Sequence, residues 1–349
     1  KLVSGQPVAT IPVSQETASW AKIVEAAKKE GSVTLYNSTA FAGDKGRITL
    51  RAFQDKHGIR VESLNMPGRQ IVERISVEAR LKQPIADVAA VGTSSGTELF
   101  LADFTANVWQ ELPEFRDKSI FKVDPFHTPN GEVLVMVMST LGAMVNTNLV
   151  KLQDEPRSYF DLLDPKWKGK MLLTDPRGGG GGGFMFFNLL RYYKVLDDDY
   201  YSRFAKQEPI LWGGSTTEEY NLIARGEAWL SPAAATNSVG YLILDGAPLK
   251  LLGMKEGNMS QGDSITLIKG ASHPNAAKLL MNWIFSSEGQ SVYAKAGSME
   301  SMRKDIELMK QLVKVTDFAA NLSVPTLDEK AWRETEPHTP HPRKRLEAA

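Results

Sequence analysis

The sequence predicts an α/β protein of two lobes joined by crossover strands, and three observations carry that expectation. The chain has 349 residues, more than one hydrophobic core usually serves, since domains cluster near ~100–150 residues. Its first hundred or so residues alternate helix and strand. An apolar run at 133–146, interrupted by Ser139-Thr140 and Gly142, reads as a buried strand bent midway that passes between lobes.

Residues 19–29 set Trp20, Ile23, Val24, Ala26 and Ala27 at helical spacing, and Gly31 stops this helix before a short strand at 33–36. Residues 46–57 read as a second helix with Ile48, Leu50 and Phe53 turned inward. Residues 59–64 alternate as a strand, 69–82 form an amphipathic helix, and 86–91 are a small-residue buried strand. This order favours a mostly parallel sheet whose ligands bind beyond the carboxyl ends of its strands.

Two segments fall at that edge. Tyr36-Asn37-Ser38-Thr39 closes the first strand, and the loop Gly92-Thr93-Ser94-Ser95-Gly96 follows the third; both offer hydroxyls and accessible backbone amides. Either alone is equally well explained as a cap on the next helix. Two at one edge point to a ligand.

A second α/β unit begins at 158–163, turns through 164–170 and continues as a strand at 171–174. Asp175-Pro176-Arg177 and a run of six glycines, 178–183, come next, and Gly178, Gly179 and Gly180 are candidates to bring amides against a ligand at the start of a helix over 184–195. Phe184-Met185 stands where a phosphate loop would have Lys-Ser/Thr, so nucleotide hydrolysis is not expected. Trp212 precedes a further small-residue helix start containing Ser215 and Thr216. Helix is expected at 216–225, a strand at 228–231 and another helix opening over 237–243, which carries Asn237 and Tyr241. A strand at 264–268 and helices at 274–285 and 287–296 follow, with a second crossover near 259–262. The expected lobes are 20–138 with 262–298, and 139–261 with 299–335. Residues 336–349 read as a mobile tail, in which Pro340 between His338 and His341 argues against a helical metal site.

Composition excludes several classes. Lys+Arg and Asp+Glu both number 41, so no general basic field draws nucleic acid or acidic membrane. No stretch approaches the ~20 apolar residues of a membrane span. With no cysteine, the chain has no disulfide, thiol nucleophile or thiolate metal site. No Gly-x-Ser-x-Gly elbow occurs, and His57, His127 and His273 sit in turn-like contexts, so no enzyme is expected.

Ordered segments resemble the extracellular solute-binding proteins of bacterial ABC importers, in the ferric-iron-binding and aminoethylphosphonate-binding subgroup. They run from Gly31-Ser32-Val33-Thr34-Leu35-Tyr36-Asn37-Ser38, through Ala52-Phe53, His57-Gly58-Ile59-Arg60-Val61 and Pro84-Ile85-Ala86-Asp87-Val88, to Leu162-Leu163-Asp164-Pro165-Lys166-Trp167-Lys168-Gly169-Lys170 with Asp175-Pro176-Arg177. Ile268-Lys269-Gly270-Ala271-Ser272-His273-Pro274-Asn275 and Phe285-Ser286-Ser287-Glu288-Gly289-Gln290 complete the series. The resemblance implies a two-lobed periplasmic-binding-protein fold, type II-like, with crossover hinge strands. It also implies a monomeric carrier, exported to the periplasm with its signal peptide removed, that closes on a small molecule and delivers it to a membrane permease. A receptor-linked sensor built on the same clamp is the alternative role.

Iron binders of this family carry adjacent tyrosines late in the second lobe. Here that position reads Ser238-Val239, with Tyr241 further on, so neither a metal nor another cofactor is expected, and an Fe(III) site is kept as the alternative. Tyr192-Tyr193 and Tyr200-Tyr201 read as packing residues. The expected ligand is an organic anion, a carboxylate or a phosphonate or phosphate ester, held by the segments above with Arg69, Arg177 and Thr140 at the crossover.

Overall fold

The structure, a computed structural model, describes residues 13–38, 40–41, 43–122, 124–175, 190–191, 195–213, 216–235, 239–240, 242–243, 245–256, 259–297 and 301–306. The first unit runs α1 (Val13–Glu30), β1 (Ser32–Asn37), α2 (Gly43–His57), β2 (Arg60–Asn65), α3 (Gly68–Arg80), β3 (Val88–Gly92), α4 (Thr93–Leu101) and β4 (Thr105–Ala106). Strand β5 (Leu134–Asn146) then leaves it. The second unit contains β6 (Leu172–Thr174), α5 (Asp198–Ala205), β7 (Ile210–Trp212), α6 (Thr216–Ala224), β8 (Leu230–Ala235) and β9 (Leu249–Leu251). Strand β10 (Met259–Ile268) returns to the first unit, where α7 (Pro274–Phe285) and α8 (Ser287–Gly297) follow.

Period-2 alternation builds the cores. In β3, Val88 and Ala90 enter the cluster formed with Ala27, Phe53, Leu280, Trp283 and Phe285, whereas Ala89 and Val91 enter the one formed with Ile71, Ile75 and Leu99. The first unit is therefore a sheet covered on both faces, by α1, α2 and α7 on one side and α3 and α4 on the other. In β5, Ala143 and Val145 join Tyr159, Trp167 and Tyr200, while Met144 joins Tyr220, Ile223 and Leu251. Fully burying one such side chain stabilises by roughly 1.5–3 kcal/mol.

The main sheet runs β2-β1-β3-β10-β5-β8, with β4 also on β10 and β9 on β5. Strands β1, β2 and β3 are parallel, and β10 is antiparallel to both β3 and β5. Among the described strands, β10 pairs with β3 and β4 of the first unit and β5 with β8 and β9 of the second, and the two pair with each other, Met138–Leu141 with Gly262–Met259. The register shifts at Asp263/Ser264 on β10 and between Gly142 and Met144 on β5, so irregularities flank this ribbon. Gly262 is required there, because a Cβ would lie 2.4 Å from the Val137 carbonyl oxygen and 2.5 Å from Val135 Cγ1.

The structure alters two expectations. The sequence places residues 299–335 in the second lobe, but Ser301–Ile306 pack on the first. There Met302 enters the core, Gln290 Oε1 accepts from Ser301 Oγ and Met302 N at 2.9 Å each, and Arg303 Nη1 donates to Glu114 Oε2 at 2.6 Å. Residues 307–349 lie outside the described residues. In the expected loop Gly92–Gly96, Gly92 instead ends β3 and Thr93–Gly96 form the first turn of α4, because Thr97 and Leu99 are buried and draw the chain into a helix directly from β3.

Candidate ligand site

At the carboxyl edge of the first sheet, Ser38 N donates to Ala90 O and Met66 N to Asn37 O, both at 3.0 Å. These bonds tie the exits of β1 and β2 to their neighbours and fix where α3 and α4 begin. The N-caps of those helices are Pro67 and Gly92, and no side chain caps either start. Two other helix starts are closed: the Asp197 carboxylate accepts from Tyr200 N on α5, and Glu30 accepts from Ala276 N at 2.7 Å on α7. The first amides of a helix have no partner within it and carry about half a positive charge. Bare amides at this edge suit an anion.

The two bare starts are held together by a missing side chain. A Cβ on Gly68 would stand 2.5 Å from Ser95 Oγ, so glycine lets the first turn of α3 rest on that of α4. Thr93, Ser94 and Ser95 are partly exposed on that turn, with Gly92 at its N-cap. Below them, Thr97 Oγ1 lies 2.7 Å from Nε2 of the buried His127, whose pKa burial lowers to about 4. A neutral imidazole therefore supports the helix start.

Tyr36 is 1% exposed, and its hydroxyl donates to Glu78 Oε1 at 2.5 Å, inside the packing of α3. Burial, followed by this bond, raises its pKa to about 12. The expectation of a ligand-facing Tyr36 side chain is corrected accordingly: it is a core group. Asn37 is also buried, with Nδ2 donating to Ser63 Oγ at 2.7 Å. Arg69 is exposed on the first turn of α3, and its Nε donates to Glu73 Oε1 at 3.2 Å. Thr140 pairs with Ser260 in the crossover ribbon, and Thr216 opens α6. Thr39, Arg177, Gly178, Gly179, Gly180, Ser215, Asn237 and Tyr241 lie outside the described residues.

The second unit repeats the plan. Strands β6 and β7 are parallel, Met171 beside β6 bridges Leu230 of β8 in parallel, and Ala235 at the end of β8 pairs with Leu141 of the crossover. The three strands thus run in one direction, and β8 ends on the ribbon. Asp175 N donates to Trp212 O at 2.8 Å, which joins the exits of β6 and β7.

Two charged residues at the first edge carry no motif and escape sequence reading. Asp263 is 8% exposed on β10, directly opposite Gly92. Lys45 lies in the first turn of α2, with Nζ 5.2 Å from the centroid of the Tyr293 ring. Of the tandem tyrosines, Tyr200 donates to Tyr159 O at 3.1 Å and sits in the second-unit core, and Tyr192-Tyr193 lie outside the described residues. Val239, where a second tyrosine would stand in an iron binder, is buried in the other core of that unit. Among the described residues no group of three or more His, Asp or Glu could hold a metal ion, and no helix is long and apolar enough to cross a membrane.

The geometry can be set beside known proteins. A Haemophilus influenzae protein described as uncharacterized is 29% identical over 265 residues, which cover 71% of this chain and 72% of that one. The ferric binding protein from Campylobacter jejuni superposes with a TM-score of 0.71 at 17% identity, over 90% of this chain and 98% of that chain. The periplasmic binding protein AfuA from Actinobacillus pleuropneumoniae, with exogenous fructose-6-phosphate bound, gives 0.65 at 20% identity, over 91% and 96%. Both matches span both units, so the fold is that of the two-lobed periplasmic binding proteins. Residues 49–320 match the bacterial extracellular solute-binding protein family, and the chain belongs to that family.

Proposed function

We propose that this protein is the periplasmic substrate-binding component of an ABC importer, which captures a small organic anion by closing its lobes and delivers it to a membrane permease. The observation that carries the ligand class is the pair of uncapped helix starts, α3 and α4, packed together through Gly68 and Ser95 at the carboxyl edge of the sheet. Amides fixed at such an edge favour a carboxylate, phosphonate or phosphate ester and need no catalytic group. We place the lobe boundary at the ribbon of Met138–Leu141 with Met259–Gly262, whose flanking irregularities give closure a place to bend. Ligand contacts from both lobes would favour the closed state in proportion to its extra affinity. The second lobe would contribute Arg177, the glycines from Gly178 to Gly180, and Ser215 and Thr216.

The test is a thermal-shift panel of di- and tricarboxylates, phosphonates, sugar phosphates, inorganic phosphate and Fe(III). A ligand that binds only the folded state at ~100-fold above its Kd adds about 2.7 kcal/mol of stability. Stabilisation by one or more organic anions is expected. Stabilisation by Fe(III) alone would replace this reading with the iron-carrier alternative.

A further inference from the structure

The loop after β1 is braced from beneath by Tyr293 of α8. Its hydroxyl donates to Ala40 O at 2.9 Å, and its ring meets Phe41 edge-on with centroids 5.5 Å apart. Lys45, one turn further along the chain, sets its ammonium against the same ring. Asp263 is the carboxylate whose charge acts on both Lys45 and Tyr293. Because Asp263 is paired with Gly92, it stands one strand spacing, about 4.8 Å, from the residue that caps α4. A cation, its counter-charge and an aromatic wall are therefore gathered where β1, β3 and the crossover strand meet.

Other cations near this edge are differently engaged. The Arg69 side chain is 69% exposed and pairs with Glu73 on its own helix. Arg74 donates to Glu78 and lies over the Tyr36 ring. Lys45 is a more deeply set ammonium, and burial lowers its pKa while Asp263 opposes the shift. Taking an ammonium out of water is costly, and such placements cluster where charge is used. Helices α3 and α4 pack on one face of the sheet and α2, which carries Lys45 in its first turn, on the other, so the two kinds of anion-binding group flank the same edge.

We propose that Lys45 is the cationic ligand residue of the first lobe and takes an anionic group of the ligand, with Asp263 as its partner before ligand binds. This rests on the organic-anion reading and deepens it. The variants Lys45→Gln and Lys45→Arg are compared with wild type by titration calorimetry against inorganic phosphate, citrate and fructose 6-phosphate. For each probe that binds wild type, Lys45→Gln is expected to weaken binding about 10- to 100-fold, the scale of one charge-assisted hydrogen bond, and Lys45→Arg to stay within about 10-fold. In the wild-type protein, a bound probe should shield Lys45 from reductive methylation, read by peptide mass spectrometry; this arm does not depend on how the variants fold. Undiminished binding by Lys45→Gln, equal losses in both variants, or unchanged labelling would each overturn the assignment and leave the organic-anion reading standing. If wild type binds none of the three probes and no anion of the wider panel, both readings fall.

Discussion

The Tyr36 hydroxyl and the Glu78 carboxylate meet at 2.5 Å beneath α3. The same carboxylate accepts from Arg74 Nε at 3.2 Å, Ile85 N at 3.0 Å and Ala86 N at 3.2 Å, and so ties β1, α3 and the approach to β3 together. Glu78→Ala strands buried donors and should cost about 3 kcal/mol, whereas Tyr36→Phe removes one bond and should cost about 1 kcal/mol. Urea unfolding of both variants checks the ranking.

The contact of Gly68 with Ser95 predicts a coupled pair. Gly68→Ala drives a methyl to 2.5 Å from Ser95 Oγ and should destabilise by about 1–3 kcal/mol while weakening anion binding. Adding Ser95→Ala removes that oxygen and leaves Ser95 Cβ at 3.3 Å, so the double variant should recover part of the loss. A double-mutant cycle measures the coupling, and strict additivity would contradict this packing.

His127 gives the stability a pH dependence of defined sign. Its pKa in the folded protein is about 4, against about 6.5 in an unfolded chain. Its contribution is complete above pH ~6.5 and is lost as the pH falls toward 4, because the unfolded state takes up the proton first. The slope approaches 1.4 kcal/mol per pH unit in that window. His127→Gln should flatten it, as read by denaturant midpoints measured from pH 7 to 4.

Arg303 pins the segment after α8. Its side chain is 9% exposed and donates to both carboxylate oxygens of Asp305 at 2.8 Å and to Phe285 O at 3.1 Å, besides Glu114. Asp305 is half exposed and its pair is screened, so Arg303→Ala should cost about 2 kcal/mol, mainly through Glu114 and the Phe285 carbonyl. Faster amide exchange at Ser301–Ile306 and at the end of α7 is the expected signature.

Local patterns made much of this architecture readable. Trp20, Val24 and Ala27 mark α1 by spacing alone, and Pro274 opens α7 at the position where its missing N–H costs nothing. Pairing across distance was not readable: nothing local to Ser264–Leu267 says that these residues insert between Val88–Val91 and Leu134–Val135. The start of α4 was hidden because its Ser, Thr and Gly residues favour loops, and only burial of Thr97 and Leu99 selects the helix. Tyr36 was read from its place in a motif, which does not reveal that its hydroxyl turns inward. Lys45 and Asp263 were missed for the opposite reason: each is an ordinary residue until β10 and α8 bring them to the same edge.

The insertion of β10 between β3 and β5 also bears on how the chain is made. As synthesis proceeds from the amino terminus, β3 and β5 leave the ribosome long before the strand that joins them. Until residue 268 has emerged, each shows an unpaired edge to the surroundings, and the intervening unit can complete its own core first. Late long-range pairing of this kind is slow and prone to aggregation. The nascent first lobe should therefore stay prone to aggregation until β10 has emerged, and substitutions in Met259–Ile268 should lower yield more than they lower the stability of the finished protein.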